Sequence, residues 1–313
     1  MSPSLPGESD TERGSRPGNR QPPCYGRCVG ERLFKYHGIG NDFVVLDRRP
    51  SGRDIGSAEA IRLCDRRRGV GADGVLVLLP SPGAAARMVV HNADGSIAEM
   101  CGNGIRCAVK YLLDLGHLGH PGAAPERPPS IDVDTGAGRL RCDVSYGPDG
   151  RVSEVEVSMG PARLRAPNLP GPDPFIQREL PGVPGVRGTA VSMGNPHLVL
   201  FDRPPEEAGG LGPKLELHPL FPDRTNVELV EIRSPRELRI AVWERGVGLT
   251  QACGTGACAA AAAGVVERRL PAGEWITAHL PGGALQVRVA EDLTEVRMRG
   301  PAAFVFEAEV AEI

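Results

Sequence analysis

After residue 30 the chain is a succession of short apolar runs separated by Gly, Pro and Asp turns, interrupted by longer helix-forming segments. Strands are predicted at 33–36, 43–46, 75–79 and 88–91. A helix is predicted over 57–66, with Ser57 placed to cap it, and another over about 103–115. Beyond a Pro-rich loop at 119–130, alternating strands follow at 131–134, 139–144 and 152–158. Residues 160–188 carry seven prolines and read as a long surface loop. Strands resume at 189–192, 198–201, 227–232 and 238–244, a helix covers about 254–268, and strands at 284–289, 295–299 and 303–309 complete the pattern. The last helix holds an alanine run at 259–263, and the nine residues after Gly256 carry no charge. Such a helix is expected to be enclosed, because only a slim helix fits inside a sheet.

The pattern also repeats. Cys101-Gly102-Asn103-Gly104 and Cys253-Gly254-Thr255-Gly256 lie 152 residues apart, each between a strand-like run and a helix. Nine positions before each cysteine stand Asn92 and Glu244, and twenty-seven before stand Gly74 and Asn226. Asn41 and Asn195, each preceded by glycine, lie 60 and 58 positions before. Matched offsets of this kind indicate one ancestral unit used twice. The expected fold is α+β: two pseudo-symmetric lobes, each a β-sheet wrapped round a central α-helix, with the active site in the cleft between them. The lobes are expected to comprise 31–146 with 300–313, carrying Cys101, and 147–299, carrying Cys253.

Composition narrows the function. The 313 residues suffice for two cores. A net charge of −3 and the lack of long basic runs argue against a nucleic-acid partner. Residues 1–30, rich in Pro, Gly, Ser and charge, are expected to be disordered and contain no apolar signal segment. Cys24 and Cys28 within them are too isolated to suggest a metal site. The longest apolar run, 257–266, falls well short of the roughly 20 residues of a membrane span. A cytoplasmic protein is expected, with Cys64, Cys107, Cys142 and Cys258 as small buried hydrophobes.

A cysteine just before a helix sits in the positive field of that helix terminus, which favours its thiolate. The free N–H groups of Gly102, Asn103, Gly254 and Thr255 offer anion sites. Two such termini facing each other would hold a carboxylate with a thiol on either side. That arrangement suits inversion of a carbon α to a carboxylate, in which one group removes a proton and another delivers one to the opposite face. No lysine lies in a duplicated motif, so pyridoxal chemistry is not indicated, and no metal or redox cofactor is expected. A dithiol redox role would place both cysteines in one short motif, which these are not.

Several strings are similar to those of the diaminopimelate epimerase family. They run Phe34-x-x-x-x-Gly-x-Gly-Asn-Asp-Phe, Asn92-Ala-Asp-Gly-Ser-x-x-x-Met-Cys-Gly-Asn-Gly-x-Arg-Cys, Met193-Gly-Asn-Pro-His, Arg224-Thr-Asn-Val-Glu and Glu244-Arg-Gly-x-Gly-x-Thr-x-Ala-Cys-Gly-Thr-Gly-Ala-Cys. The resemblance covers about residues 33–313. It implies cofactor-independent interconversion of LL- and meso-2,6-diaminopimelate, a small-molecule substrate, on the route to lysine and peptidoglycan. Cys101 and Cys253 would be the acid/base pair, with His197 and Glu244 tuning them. Asn41, Asn92, Asn195, Asn226, Glu244 and Arg245 would bind the polar ends of the substrate, and Gly102, Asn103, Gly254 and Thr255 its reacting carboxylate. Many members carry glutamine where Gly74 stands, so one family contact is missing here. The remaining histidines (His37, His91, His117, His120, His218 and His279) are expected to be structural or on the surface. Phe304 and Phe306 of the last strand suit a homodimer or the core. Another amino-acid racemase or isomerase of the same fold is the alternative.

Overall fold

A computed structural model describes residues 30–115, 127–201 and 203–310. The expected tail, with Cys24 and Cys28, lies outside the described residues apart from Gly30, as do His117 and most of the 119–130 loop with His120.

The first half runs β1 (Glu31–Gly38), β2 (Asn41–Asp47), α1 (Ser57–Cys64), β3 (Gly74–Leu79), β4 (Ala86–Asn92), β5 (Ile97–Ala98), α2 (Gly102–Asp114), β6 (Ser130–Thr135), β7 (Gly138–Tyr146) and β8 (Val152–Ser158). The second half runs β9 (Arg178–Glu179), β10 (Arg187–Ser192), β11 (Pro196–Leu200), α3 (Ala208–Glu216), β12 (Asn226–Ser234), β13 (Glu237–Glu244), β14 (Gly248–Leu249), α4 (Gly254–Val266), β15 (Trp275–Leu280), β16 (Gly283–Val289) and β17 (Val296–Gly300), and β18 (Ala303–Val310) follows.

Strand pairing shows the duplication element by element. In the first half β1 is antiparallel to β2, β2 parallel to β3, β3 antiparallel to β4 and β4 parallel to β6, with β7 and β8 antiparallel beyond. In the second half β10 to β13 and β15 to β17 repeat that series with the same senses. The small strands β5 and β14 hang on the equivalent strands β4 and β13. Strands β8 and β17 pair antiparallel and join the two sheets, while β18 returns to pair along β1.

Each sheet curls round one helix. Helix α2 packs against β1, β2, β8 and β18, and α4 against β10, β11, β12, β16 and β17. Residues Ala257 to Ala263 of α4 are all fully buried, as an uncharged helix of small residues should be. Cys64, Cys107, Cys142 and Cys258 are buried as expected. Among the described residues no helix is long and apolar enough to cross a membrane.

Two expectations need correction, and two elements carried no prediction. Ser57 does not cap α1: Gly56 holds that place, its N–H donating to Glu59 Oε2 at 2.7 Å, and Ser57 Oγ donates to Gly95 O instead. The segment 160–188 is not a surface loop, because Leu169, Phe175, Leu180 and Val186 are buried in a core with Leu198 and Leu229. Prolines there limit strand pairing without excluding side-chain packing. Helix α3 went unread because three glycines and Pro213 mask it. Its glycines permit close approach, since a Cβ on Gly212 would lie 2.4 Å from Trp243 Cγ. Strand β15 was missed too; its six residues alternate, but only pairing with β13 and β16 makes them a strand.

Candidate active site

Helices α2 and α4 start from equivalent strands, and each is capped by its cysteine. Cys101 and Cys253 have extended backbones (φ −138°, ψ 115° and φ −125°, ψ 107°), and each sulfur accepts a hydrogen bond from the third helical N–H. Gly104 N–H reaches Cys101 Sγ at 3.4 Å, and Gly256 N–H reaches Cys253 Sγ at 3.3 Å. A thiol thus fills the place that Ser or Asp usually takes at a helix start.

The two helix starts converge. A Cβ on Gly102 would lie 2.7 Å from Met298 Cε, and one on Gly254 would lie 3.2 Å from Met298 Sδ, so one methionine side chain abuts both. Asn103 spans the halves: its Nδ2 donates to Asn41 Oδ1 at 3.0 Å and to Ala252 O, next to Cys253, at 3.2 Å. Arg106, fully buried on α2, steadies that amide by donating from Nη2 to Asn103 Oδ1 at 3.0 Å.

The field of the helix termini does not prevail over burial. Burial pushes the Cys101 thiol up against the N–H groups of Gly104 and Asn103, with Glu244 adding to the rise. Cys253 is held well above the ordinary thiol range by burial, then by Glu244 and Glu228, against the donors Thr255 and Gly256. Burial also raises the Glu244 carboxyl. The expected low thiol pKa is therefore overturned for the free protein: taking a charge out of water outweighs two hydrogen bonds from N–H dipoles.

Around Cys253 the contacts form a chain. Thr255 Oγ1 lies 3.5 Å from Cys253 Sγ, Asn195 Nδ2 donates to Thr255 Oγ1 at 3.5 Å, and Asn195 Oδ1 lies 3.0 Å from His197 Nε2. Next to this chain a cleft of about 460 Å³ is lined by Asn168, Gly194, Asn195, Asp223, Arg224 and Arg245, among others. Arg245 Nη1 donates to Asp223 O at 2.9 Å, and its backbone N–H donates to Asn226 Oδ1 at 2.9 Å.

Sequence comparison then places the chain. The family model for diaminopimelate epimerase matches residues 33–165 and 189–305. The chain belongs to the diaminopimelate epimerase family. A diaminopimelate epimerase from Synechococcus sp. (strain JA-2-3B'a(2-13)) is 46% identical over 295 residues, covering 89% of this chain and 98% of the relative. One from Desulforudis audaxviator is 46% identical over 282 residues, covering 88% and 97%. The fold is shared more widely. The crystal structure of a probable proline racemase from Agrobacterium radiobacter K84 aligns with a TM-score of 0.64 at 16% identity, over 90% of this chain and 92% of that one.

Within the family's motifs, the remaining residues take these places. Asn41 opens β2, and its Nδ2 donates to Asp73 Oδ2 at 2.8 Å. Asn92 closes β4 and Glu244 closes β13, the equivalent ends. Asn92 Nδ2 donates to Ser96 Oγ at 2.9 Å. Asn226 is buried with both ends of its amide engaged, its Nδ2 donating to Pro196 O at 2.9 Å. Gly74 pairs with Asn92 across β3 and β4, and the backbone there has no room for a side chain. A Cβ would meet His91 O at 2.8 Å and the Phe43 ring at 3.3 Å, so this position cannot accept a side chain without a shift.

His91 and His218 are bound elsewhere, to Asp54 and to Pro181 O. Sequence reading missed Asp73, Arg106, Asn168 and Glu228. Arg106 and Glu228 stand inside strings already singled out, and Asp73 adjoins Gly74. Asn168 lay in the segment taken for a loop, where nothing marked it.

Proposed function

We propose that this chain interconverts LL- and meso-2,6-diaminopimelate without a cofactor, Cys101 and Cys253 acting on opposite faces of one α-carbon. The observation that carries this reading is the pair of cysteine-capped helix starts meeting at Met298. The reacting carboxylate fits between Gly102–Asn103 and Gly254–Thr255, where two helix termini offset the charge that builds up as the proton leaves. One thiol must ionise first. Burial opposes this in the free protein, and the substrate's α-ammonium supplies the positive charge that favours a thiolate beside it.

The second amino-acid head suits the cleft at Asn195, Asn168 and Arg245, where a guanidinium can hold a carboxylate by two parallel bonds. The return of β18 to β1 supports counting 300–313 with the first lobe, whereas β8, paired with β7 and packed on α2, carries the first lobe past the expected boundary at 146. A homodimer across β18 is supported by the exposure there of Phe304, Val305 and Phe306, and a cytoplasmic location fits the chemistry. The test is turnover of each stereoisomer in D₂O. Solvent deuterium should enter the α-carbon of product far faster than that of recovered substrate, and Cys101→Ala and Cys253→Ala should each abolish epimerisation. Full turnover by either variant sinks the two-cysteine reading.

A further inference from the structure

Behind Cys253 lies a carboxylate that the chemistry above does not use. Glu228 and His197 are both fully buried, on the neighbouring parallel strands β12 and β11. His197 Nδ1 and Glu228 Oε1 are 2.7 Å apart, while Glu228 Oε2, also buried, has no hydrogen-bond partner among the described residues. The carboxylate reaches the helix start as well. A Cβ on Gly256 would fall 2.9 Å from Glu228 Oε1 and 3.2 Å from Cys253 Sγ, so the glycine lets carboxylate and thiol meet at one backbone atom. An incompletely bonded buried carboxylate is costly unless it does something for its partner.

We propose that Glu228 is a positioning residue that keeps an extra proton on the His197–Glu228 pair and so aims a chain of donors at Cys253. The acceptors along the chain fix its direction. Asn195 Oδ1 can only accept, so His197 Nε2 carries a hydrogen and donates it over 3.0 Å. The ring's other nitrogen then faces Glu228 Oε1 at 2.7 Å, a contact that needs one proton between them. The pair is net neutral wherever that proton sits, which cancels the upward pull that Glu228 exerts on Cys253 as a bare carboxylate. Asn195 is held with its Nδ2 toward Thr255, whose oxygen accepts and whose hydroxyl hydrogen is left for the sulfur. With the Gly256 N–H, Cys253 Sγ then has two donors, which favours its thiolate. The charged groups facing this sulfur are Glu244 from β13 and Glu228 from β12, with His197 behind on β11.

The inference rests on Cys253 as a reacting thiol, and its test reads the thiol itself. In Glu228→Gln the amide supplies no proton to the pair and can either donate to or accept from Nδ1, so the direction of the chain is no longer fixed. The pH midpoint of Cys253 alkylation by iodoacetamide, followed by peptide mapping, should rise by about one unit, with that of Cys101 unchanged. The corresponding loss is about tenfold in kcat, with KM within about twofold. If Glu228 acted merely as a nearby negative charge, neutralising it would lower the midpoint. A fall, or no shift, overturns the proposal. Thr255→Val should raise the midpoint equally while Thr255→Ser does not, and the double variant with Glu228→Gln should go no further; additive shifts would also overturn it. A wild-type measurement covers the case in which Glu228→Gln does not fold. ¹⁵N-histidine NMR should show His197 Nε2 protonated, and a ring protonated on Nδ1 alone refutes the chain. Cys253→Ala turnover separately reports whether Cys253 reacts at all.

Discussion

Arg106→Gln probes a buried cation beside the two cysteine-capped helix starts. The Arg106 side chain is fully buried, and its guanidinium bonds to no carboxylate among the described residues. Instead Nη1 donates to Gly102 O at 2.9 Å, Nη2 to Asn103 Oδ1 at 3.0 Å and Nε to Pro301 O at 3.2 Å. Those bonds tie the start of α2 to the crossing between β17 and β18. Glutamine can replace one of the three. Losing two charge-assisted bonds costs about 3–6 kcal/mol at 1.5–3 kcal/mol each. Against this, the desolvation of a buried cation is recovered, which is worth several kcal/mol even after relaxation. The difference is a net loss of about 2 kcal/mol, equivalent to a melting temperature lower by about 4–8 °C. The variant should also change the thiol. Arg106 draws Cys101 down against burial, so removing the charge leaves less thiolate at neutral pH. Differential scanning calorimetry and the pH dependence of Cys101 alkylation measure the two effects separately. A melting temperature within about 1 °C of wild type, together with an unmoved alkylation midpoint, would refute the account of Arg106 as both tie and field.

Ala260→Leu should cost about 1–3 kcal/mol in a denaturant titration, since Ala260 is fully buried inside the second sheet and added methylenes strain a packed core. Wild-type stability after this change would mean that α4 is not enclosed. Arg245→Lys keeps the charge but loses the two-bond fork, and kcat/KM for diaminopimelate should fall about tenfold, roughly 1.4 kcal/mol; an unchanged value places Arg245 outside the substrate's reach. Both helix-capping thiols, Cys101 and Cys253, are raised by burial, so alkylation of the substrate-free protein should be slow at neutral pH and climb only above the usual thiol range near pH 8.5. Rapid alkylation at pH 7 would show that the helix termini outweigh burial.

What the sequence determined, it determined through repetition. Two cysteines at equivalent offsets, with Asn92 against Glu244 and Gly74 against Asn226, gave the duplication, the two lobes and the cysteine pair, because residues at equivalent places in a repeat must serve equivalent strand ends. The uncharged run after Gly256 was enough to put α4 inside its sheet. Other features arose only in three dimensions. Helix α3 and strand β15 lack local propensity strong enough to be read, and are fixed by the Trp243 ring and by neighbouring strands. The proline-rich segment is buried by side chains whose partners lie far along the chain. The ionisation of the cysteines went against the local expectation for the same reason. The helix terminus is written in Cys-Gly-x-Gly, whereas burial and Glu244 come from strands folded over it, and desolvation outweighs the donors at each helix start.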